Sequence, residues 1–128
     1  MHVVALIDDL LFASRIGAAA RAAGVEVRTV RDPETAVERS RLDPPGAVFL
    51  DLDRERLRPL EALRLLRSEP GLAELEIVGF ASHVRTERLR EAEQAGCTRV
   101  LSRGAFVRAL PELLARVAAP APPRSGPA

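Results

Sequence analysis

AVFLDLD, residues 47–53, decides the reading of this chain: Ala47 to Leu50 run without a polar interruption into Asp51. A short apolar run that ends in a carboxylate reads as a strand whose carboxyl end carries chemistry. The same pattern opens the chain, where the apolar run Val3 to Ile7 is closed by Asp8 and Asp9. Working outward, Phe12 to Ala23 is alanine-rich with helical spacing, and Gly24 stands where a helix C-cap belongs. Val25, Val27 and Val30 then alternate with polar residues, as in a half-buried second strand. Asp32-Pro33 reads as an N-cap with proline in the first turn of a helix running to about Arg41, which Pro44-Pro45 ends. Beyond Asp51, leucines at 57, 60, 63 and 66 mark one face of a helix from Leu57 to Arg67, and Pro70-Gly71 follows it. Ile77 to Phe80 predicts a fourth strand, Thr86 to Ala95 a helix closed by Gly96, Arg99 to Leu101 a fifth strand, and Ala105 to Ala118 a last helix.

Strand and helix alternate five times. Parallel neighbours need crossovers, and crossovers are right-handed, so this order predicts a doubly wound parallel sheet with helices on both faces. The expected strand order is 2-1-3-4-5 in one α/β domain, residues 1–118, of flavodoxin-like type. The stretch 119–128, APAPPRSGPA, is too rich in proline to join the core and reads as a disordered tail.

At 128 residues, 47% hydrophobic and 29% charged, the chain suits a single domain with a substantial core. Basic and acidic residues nearly cancel, 19 against 18, so bulk charge selects no polyanion. Four phenylalanines and no other aromatic offer no base-stacking surface, which argues against a nucleic-acid partner. Cys97 is the single cysteine, and it excludes an internal disulfide or a cysteine zinc cluster. No basic leader precedes MHVVALIDD and no stretch approaches a membrane span, so a cytoplasmic location is expected. Every basic residue is arginine, so chemistry that needs an ammonium group must here use a guanidinium.

In a doubly wound sheet, ligands gather at the carboxyl ends of the strands, where Asp8, Asp9 and Asp51 are all placed. Three like charges converging there call for a counter-charge. A hard divalent cation supplies one, and Mg²⁺ takes one or two carboxylates while keeping several waters. Single aspartates at strand ends also cap helices and start turns, and that reading stays open for each of the three.

Asp8-Asp9 after VVALI, Asp51 in AVFLDLD, and GCTRVLSRGAF from Gly96 to Phe106 together resemble the receiver domains of bacterial response regulators. The resemblance spans Val3 to Ala118. It implies that Asp51 is a phosphoacceptor, that Asp8 and Asp9 hold Mg²⁺, and that Asp53 lends the metal its backbone carbonyl. The implied reaction is phosphoryl transfer to Asp51 from a sensor kinase, with an effector protein downstream in a two-component phosphorelay.

Several positions depart from the family pattern. The lysine that ends strand five is Arg103 here; it keeps the charge but not the shape, and a solvent-facing arginine is the alternative. The hydroxyl that ends strand four is replaced by Ala81, with Ser82 one step later and better suited to capping the next helix. The aromatic switch position is Val100. The loop LDRERLRPLEAL lacks the usual proline and glycine, and its charges are placed to obstruct the pocket. This is the pattern of a pseudo-receiver.

Arg85, Arg88 and Arg90, with Arg99 and Arg108, are expected to lend positive charge to the surface of helix four, strand five and helix five, around Val100. Receivers use this face for partners; a solvated helix face explains the charges equally well. His83 reads as an exposed residue rather than a phosphate carrier, and Cys97 as a small buried hydrophobe. Asp51-Leu52-Asp53 is also similar to the Asp-x-Asp motif of haloacid-dehalogenase-type phosphatases, but those enzymes carry it on their first strand and need a lysine. Two readings from different classes remain, and neither makes the chain an enzyme. One is a stand-alone phosphorylatable switch; the other is an adaptor that docks proteins without phosphate. Dimerisation through the last helix is left open.

Overall fold

The computed structural model describes residues 1–82 and 86–119. His83, Arg85 and the proline-rich stretch 120–128 lie outside the described residues. Five parallel strands, β1 (His2–Leu6), β2 (Glu26–Val30), β3 (Ala47–Asp51), β4 (Ile77–Ala81) and β5 (Arg99–Ser102), form one sheet in the order β2-β1-β3-β4-β5. The helices are α1 (Leu10–Ala23), α2 (Pro33–Leu42), α3 (Pro59–Ser68), α4 (Thr86–Gln94) and α5 (Arg103–Ala118). Fold class and strand order are those expected from the alternation of elements.

Strand pleating sorts the apolar side chains into two layers. Val3, Ala5, Phe49, Val78 and Phe80 face α1 and α5, where they meet Phe12, Ile16, Phe106, Leu110 and Leu113. Val4, Leu6, Val48, Leu50 and Ile77 face the opposite way, against Ala36, Leu63, Leu66 and Ala92 of α2, α3 and α4. The phenylalanines meet in the first layer, with Phe80 and Phe106 stacked at 4.4 Å between centroids. Each fully buried ring or leucine contributes on the order of 1.5–3 kcal/mol. Gly79 leaves room for the loop after β3, since a Cβ there would stand 2.8 Å from Leu52 Cδ1.

The ends are set by local chemistry. Asp32 caps α2 by accepting from Thr35 N at 2.7 Å, and Gly24 closes α1 at φ 74°, a conformation that costs glycine nothing. Three helix starts differ from the sequence reading, and the first is α1, which begins at Leu10 rather than Phe12 because Asp9 caps it. Helix α3 starts at Pro59, because Glu55–Leu57 forms a separate 3₁₀ turn and Arg58 between them is left-handed at φ 49°. Leu57 still joins the core from that turn. Helix α5 starts at Arg103 rather than Ala105, since Ser102 caps it by accepting from Ala105 N at 3.1 Å. Arg103 therefore stands in the first turn of α5, one residue past β5. No helix of the described residues is long and apolar enough to cross a membrane.

Candidate functional site: an acidic pocket lined with arginine

The pairing Leu6 with Leu50 sets the ends of β1 and β3 side by side, and Asp51 pairs with Phe80 on β4. Asp8 and Asp9 leave β1 toward the same edge that Asp51 reaches at the end of β3. Asp51 is fully buried, and both its oxygens are used. Oδ1 accepts from the backbone N–H of Asp53 at 3.0 Å and Oδ2 from Arg103 Nη2 at 3.2 Å. The other terminal nitrogen of Arg103 donates to Asp9 Oδ2 at 3.4 Å, so one guanidinium bridges two of the three acids. Its central carbon, Cζ, lies 4.4 Å from the centroid of Phe12 and 5.6 Å from that of Phe80. A cation over these rings is held by their quadrupoles, which an ammonium on a thin stem would use less well.

Asp9 serves two elements at once. Its Oδ1 accepts from Leu11 N and Phe12 N, both at 3.1 Å, and so caps α1. The N–H of Phe12 above all, with Arg103 in support, holds the Asp9 carboxyl below its ordinary range. Asp51 goes the other way: burial raises its pKa, and the Asp53 amide and Arg103 offset that only in part. Asp8 is ion-paired with Arg56, and Arg54 Nε stands 3.6 Å from its Oδ1. Yet Oδ1 of Asp8 is buried and accepts no hydrogen bond.

Arg103 joins Asp9 to Asp51 while Asp8 pairs with Arg54 and Arg56, so arginines supply counter-charge to all three aspartates, the role that the sequence reading gave to Mg²⁺. Among the described residues no group of three or more His, Cys, Asp or Glu side chains is arranged to hold a metal ion. The donor set fits a hard cation in part: Asp8 Oδ1 is a buried acceptor with no hydrogen bond, only the longer ion pair to Arg54, whereas Asp9 and Asp51 are hydrogen-bonded.

No family model matches the chain. The transcriptional activator protein ExaE of Pseudomonas putida is 31% identical over 96 residues, 75% of this chain and 44% of its own length. The match therefore spans less than half of that relative. Solved structures agree over far more of the chain. The receiver domain of a sensor histidine kinase from Pseudomonas aeruginosa PAO1, with magnesium coordinated in its active-site cleft, superposes with a TM-score of 0.78 at 20% identity, covering 91% of this chain and 96% of that one. The receiver domain of NtrX from Brucella abortus gives 0.74 at 20% identity, with 94% and 100% covered. A response regulator from Chloroflexus aurantiacus gives 0.76 at 21% identity, with 90% and 98% covered. This chain has the receiver fold.

On the receiver fold the remaining candidate positions take definite places. Arg103 is directed inward to Asp51, not to solvent. Ala81 is buried at the end of β4 with no hydroxyl to offer. The backbone N–H of Ser82 donates to Asp53 Oδ2 at 2.5 Å, and the residues that would cap the start of α4 at Thr86 lie outside the described residues. Asp53, expected to contribute a carbonyl, thus also reaches across to β4 with its carboxylate. Val100 is half-buried against the second core layer. Arg108 and Arg90 are exposed, and Arg99 is half-buried. Arg88 differs from expectation: its side chain is only 22% exposed, and it donates to Leu52 O at 2.6 Å and Glu55 Oε1 at 2.5 Å. It is turned toward the loop after β3 and lends little charge to the surface.

Sequence reasoning named the obstructing loop without naming the contacts of Arg54 and Arg56 with Asp8. It also passed over Phe12, whose place three residues after the capping Asp9 is the signal that an aromatic ring faces the pocket. Cys97 is buried, and burial pushes its thiol up to about 11.

Proposed function

We propose that the chain is a receiver module of two-component signalling whose output face is held in one preset state by arginines, in place of a state set by phosphorylation. The observation that carries this reading is the bridge of Arg103 between Asp9 and a fully buried Asp51. A carboxylate must be reached by its phosphodonor to attack it, and this one has both oxygens engaged and no exposed surface. Ala81 removes the hydroxyl and Val100 the aromatic ring through which a phosphoryl group would be read out. The module acts by docking proteins, a kinase or an effector, through α4, β5 and α5. It is a binding module and not an enzyme.

Intact mass after incubation with Mg²⁺ and acetyl phosphate, beside Asp51→Ala, tests this directly. The expected outcome is no Asp51-dependent phosphoryl adduct. A labile adduct that vanishes in Asp51→Ala would overturn the preset state and establish a phosphorylatable switch.

That second reading has its own support in Asp8 Oδ1, a buried acceptor left without a hydrogen bond, and in the magnesium held by the Pseudomonas aeruginosa receiver. On this reading Asp8, Asp9 and the Asp53 carbonyl take Mg²⁺ once Arg54 and Arg56 swing outward, and the cation neutralises charge on the incoming phosphoryl group. Millimolar Mg²⁺ that shifts the amide resonances of residues 8, 9 and 51–56 would favour it over the preset state.

A further inference from the structure

Two side chains join the loop after Asp51 to the β4–α4 region. Asp53 sends its carboxylate to the N–H of Ser82, the first residue past β4, at 2.5 Å. Arg88, in the first turns of α4, sends its guanidinium back to Leu52 O at 2.6 Å and Glu55 Oε1 at 2.5 Å. The two ties run in opposite directions and close a ring. Asp53 N is itself bonded to Asp51 Oδ1 at 3.0 Å, and the side chain of Leu52 is fixed in the core over Gly79 and Cys97. The ring therefore connects the pocket to α4 through a carboxylate and a guanidinium of the chain itself and needs no ligand. Charge-assisted bonds of this kind are about twice as strong as neutral ones.

We infer that Asp53 and Arg88 form a permanent double tie that fixes α4 to the phosphoacceptor loop and sets the position of the α4 face. The inference rests on the preset reading above and names its device. It explains why the Asp53 carboxylate turns across to the end of β4 while the Arg88 guanidinium turns back to the loop after β3. It also explains why the hydroxyl at position 81 and the ring at position 100 are dispensable. A tie made of side chains already in the chain does not await a signal.

The test is amide hydrogen exchange on the full ¹⁵N-labelled chain, comparing wild type with Asp53→Ala, Arg88→Gln and the double variant. Each single change is expected to speed exchange of the Ser82 amide and of the α4 amides 90–94 about tenfold, while β1 and β2 amides keep their rates. The double variant is expected to exceed either single by less than the product of the two, since both ties restrain one element. Asp53→Asn keeps a carbonyl oxygen and is expected to fall between wild type and Asp53→Ala. Unchanged α4 exchange in Asp53→Ala and Arg88→Gln would overturn the tie. The acetyl phosphate experiment on wild type reports separately: an adduct there removes the preset reading, whatever the exchange rates say about the tie.

Discussion

Arginine organises both ends of the sheet, and the two ends use it differently. At the amino ends of β4 and β5, Arg67 donates to Gly96 O at 2.8 Å, Leu75 O at 2.7 Å, Ala73 O at 3.1 Å and Thr98 Oγ1 at 3.1 Å. At the carboxyl ends, Arg103 donates to Asp51 and Asp9. The partners of Arg67 are neutral and keep the same charge at every working pH. Those of Arg103 titrate, and one of them is fully buried. One end is therefore a fixed staple, and the other is a charge balance that a proton, a cation or a phosphoryl group can tip. The residue type does not decide between structure and function; the chemistry of its acceptors does.

The largest effect is expected at the staple. Arg67→Ala leaves the carbonyls of Gly96, Ala73 and Leu75 without the guanidinium that they share, beneath Gly96, whose φ of 109° already suits only glycine. Unsatisfied polar groups of this kind cost roughly 1–3 kcal/mol each when buried, so a loss of about 2–4 kcal/mol is expected in urea unfolding. The loss is expected to be equal at about pH 5 and about pH 8, since neither side of these bonds titrates there. A pronounced pH dependence would break the distinction between the two ends.

At the other end, Arg103→Ala strips the buried Asp51 of its cation and is expected to cost about 1–3 kcal/mol near neutral pH. Here the cost is expected to shrink as pH falls, because Asp51 takes up a proton and no longer needs a counter-charge. Mg²⁺ is expected to restore part of the loss if the vacated pocket accepts a cation. Urea midpoints across pH, with and without Mg²⁺, measure both. A loss as insensitive to pH as that of Arg67→Ala would make Arg103 a second staple.

The sequence carried the scaffold and the acids because both follow local rules. Alternating apolar runs place strands and helices, and the carboxylates of Asp8, Asp9 and Asp51 sit where those runs end. Asp32 and Gly24 were legible for the same reason, as caps defined by a few neighbouring residues. What the acids touch was legible only in part, through the family position that Arg103 fills. Arg88 and Leu52 are 36 residues apart, and Arg103 and Asp51 are 52 apart, so only the folded sheet brings them together. The start of α3 was misplaced because leucine spacing continued through Leu57, while the left-handed Arg58 that breaks the helix carries no glycine to announce it.

The smallest expected effect has the opposite sign and isolates the charge at the acidic end. Burial raises the folded-state pKa of Asp51 above 3.8, so the folded state holds that proton more tightly than the unfolded chain does. The resulting stability is fully present below pH 3.8 and is lost as pH rises through the folded value. Asp9 opposes it: with its pKa below 3.8, it adds stability above that pH and loses it as pH falls through its own folded value. Asp51→Asn keeps the oxygen that accepts from the Asp53 amide and leaves Arg103 on Asp9 and Phe12, but removes the buried charge. The variant should therefore be modestly more stable than wild type near neutral pH, with the gap closing below pH 3.8. In that background Arg103→Ala should also cost less than in wild type, because no buried carboxylate is left unpaired. A variant less stable than wild type at neutral pH would mean that the attraction of Arg103 outweighs the burial of Asp51, and the acidic end would then be held as firmly as the end stapled by Arg67.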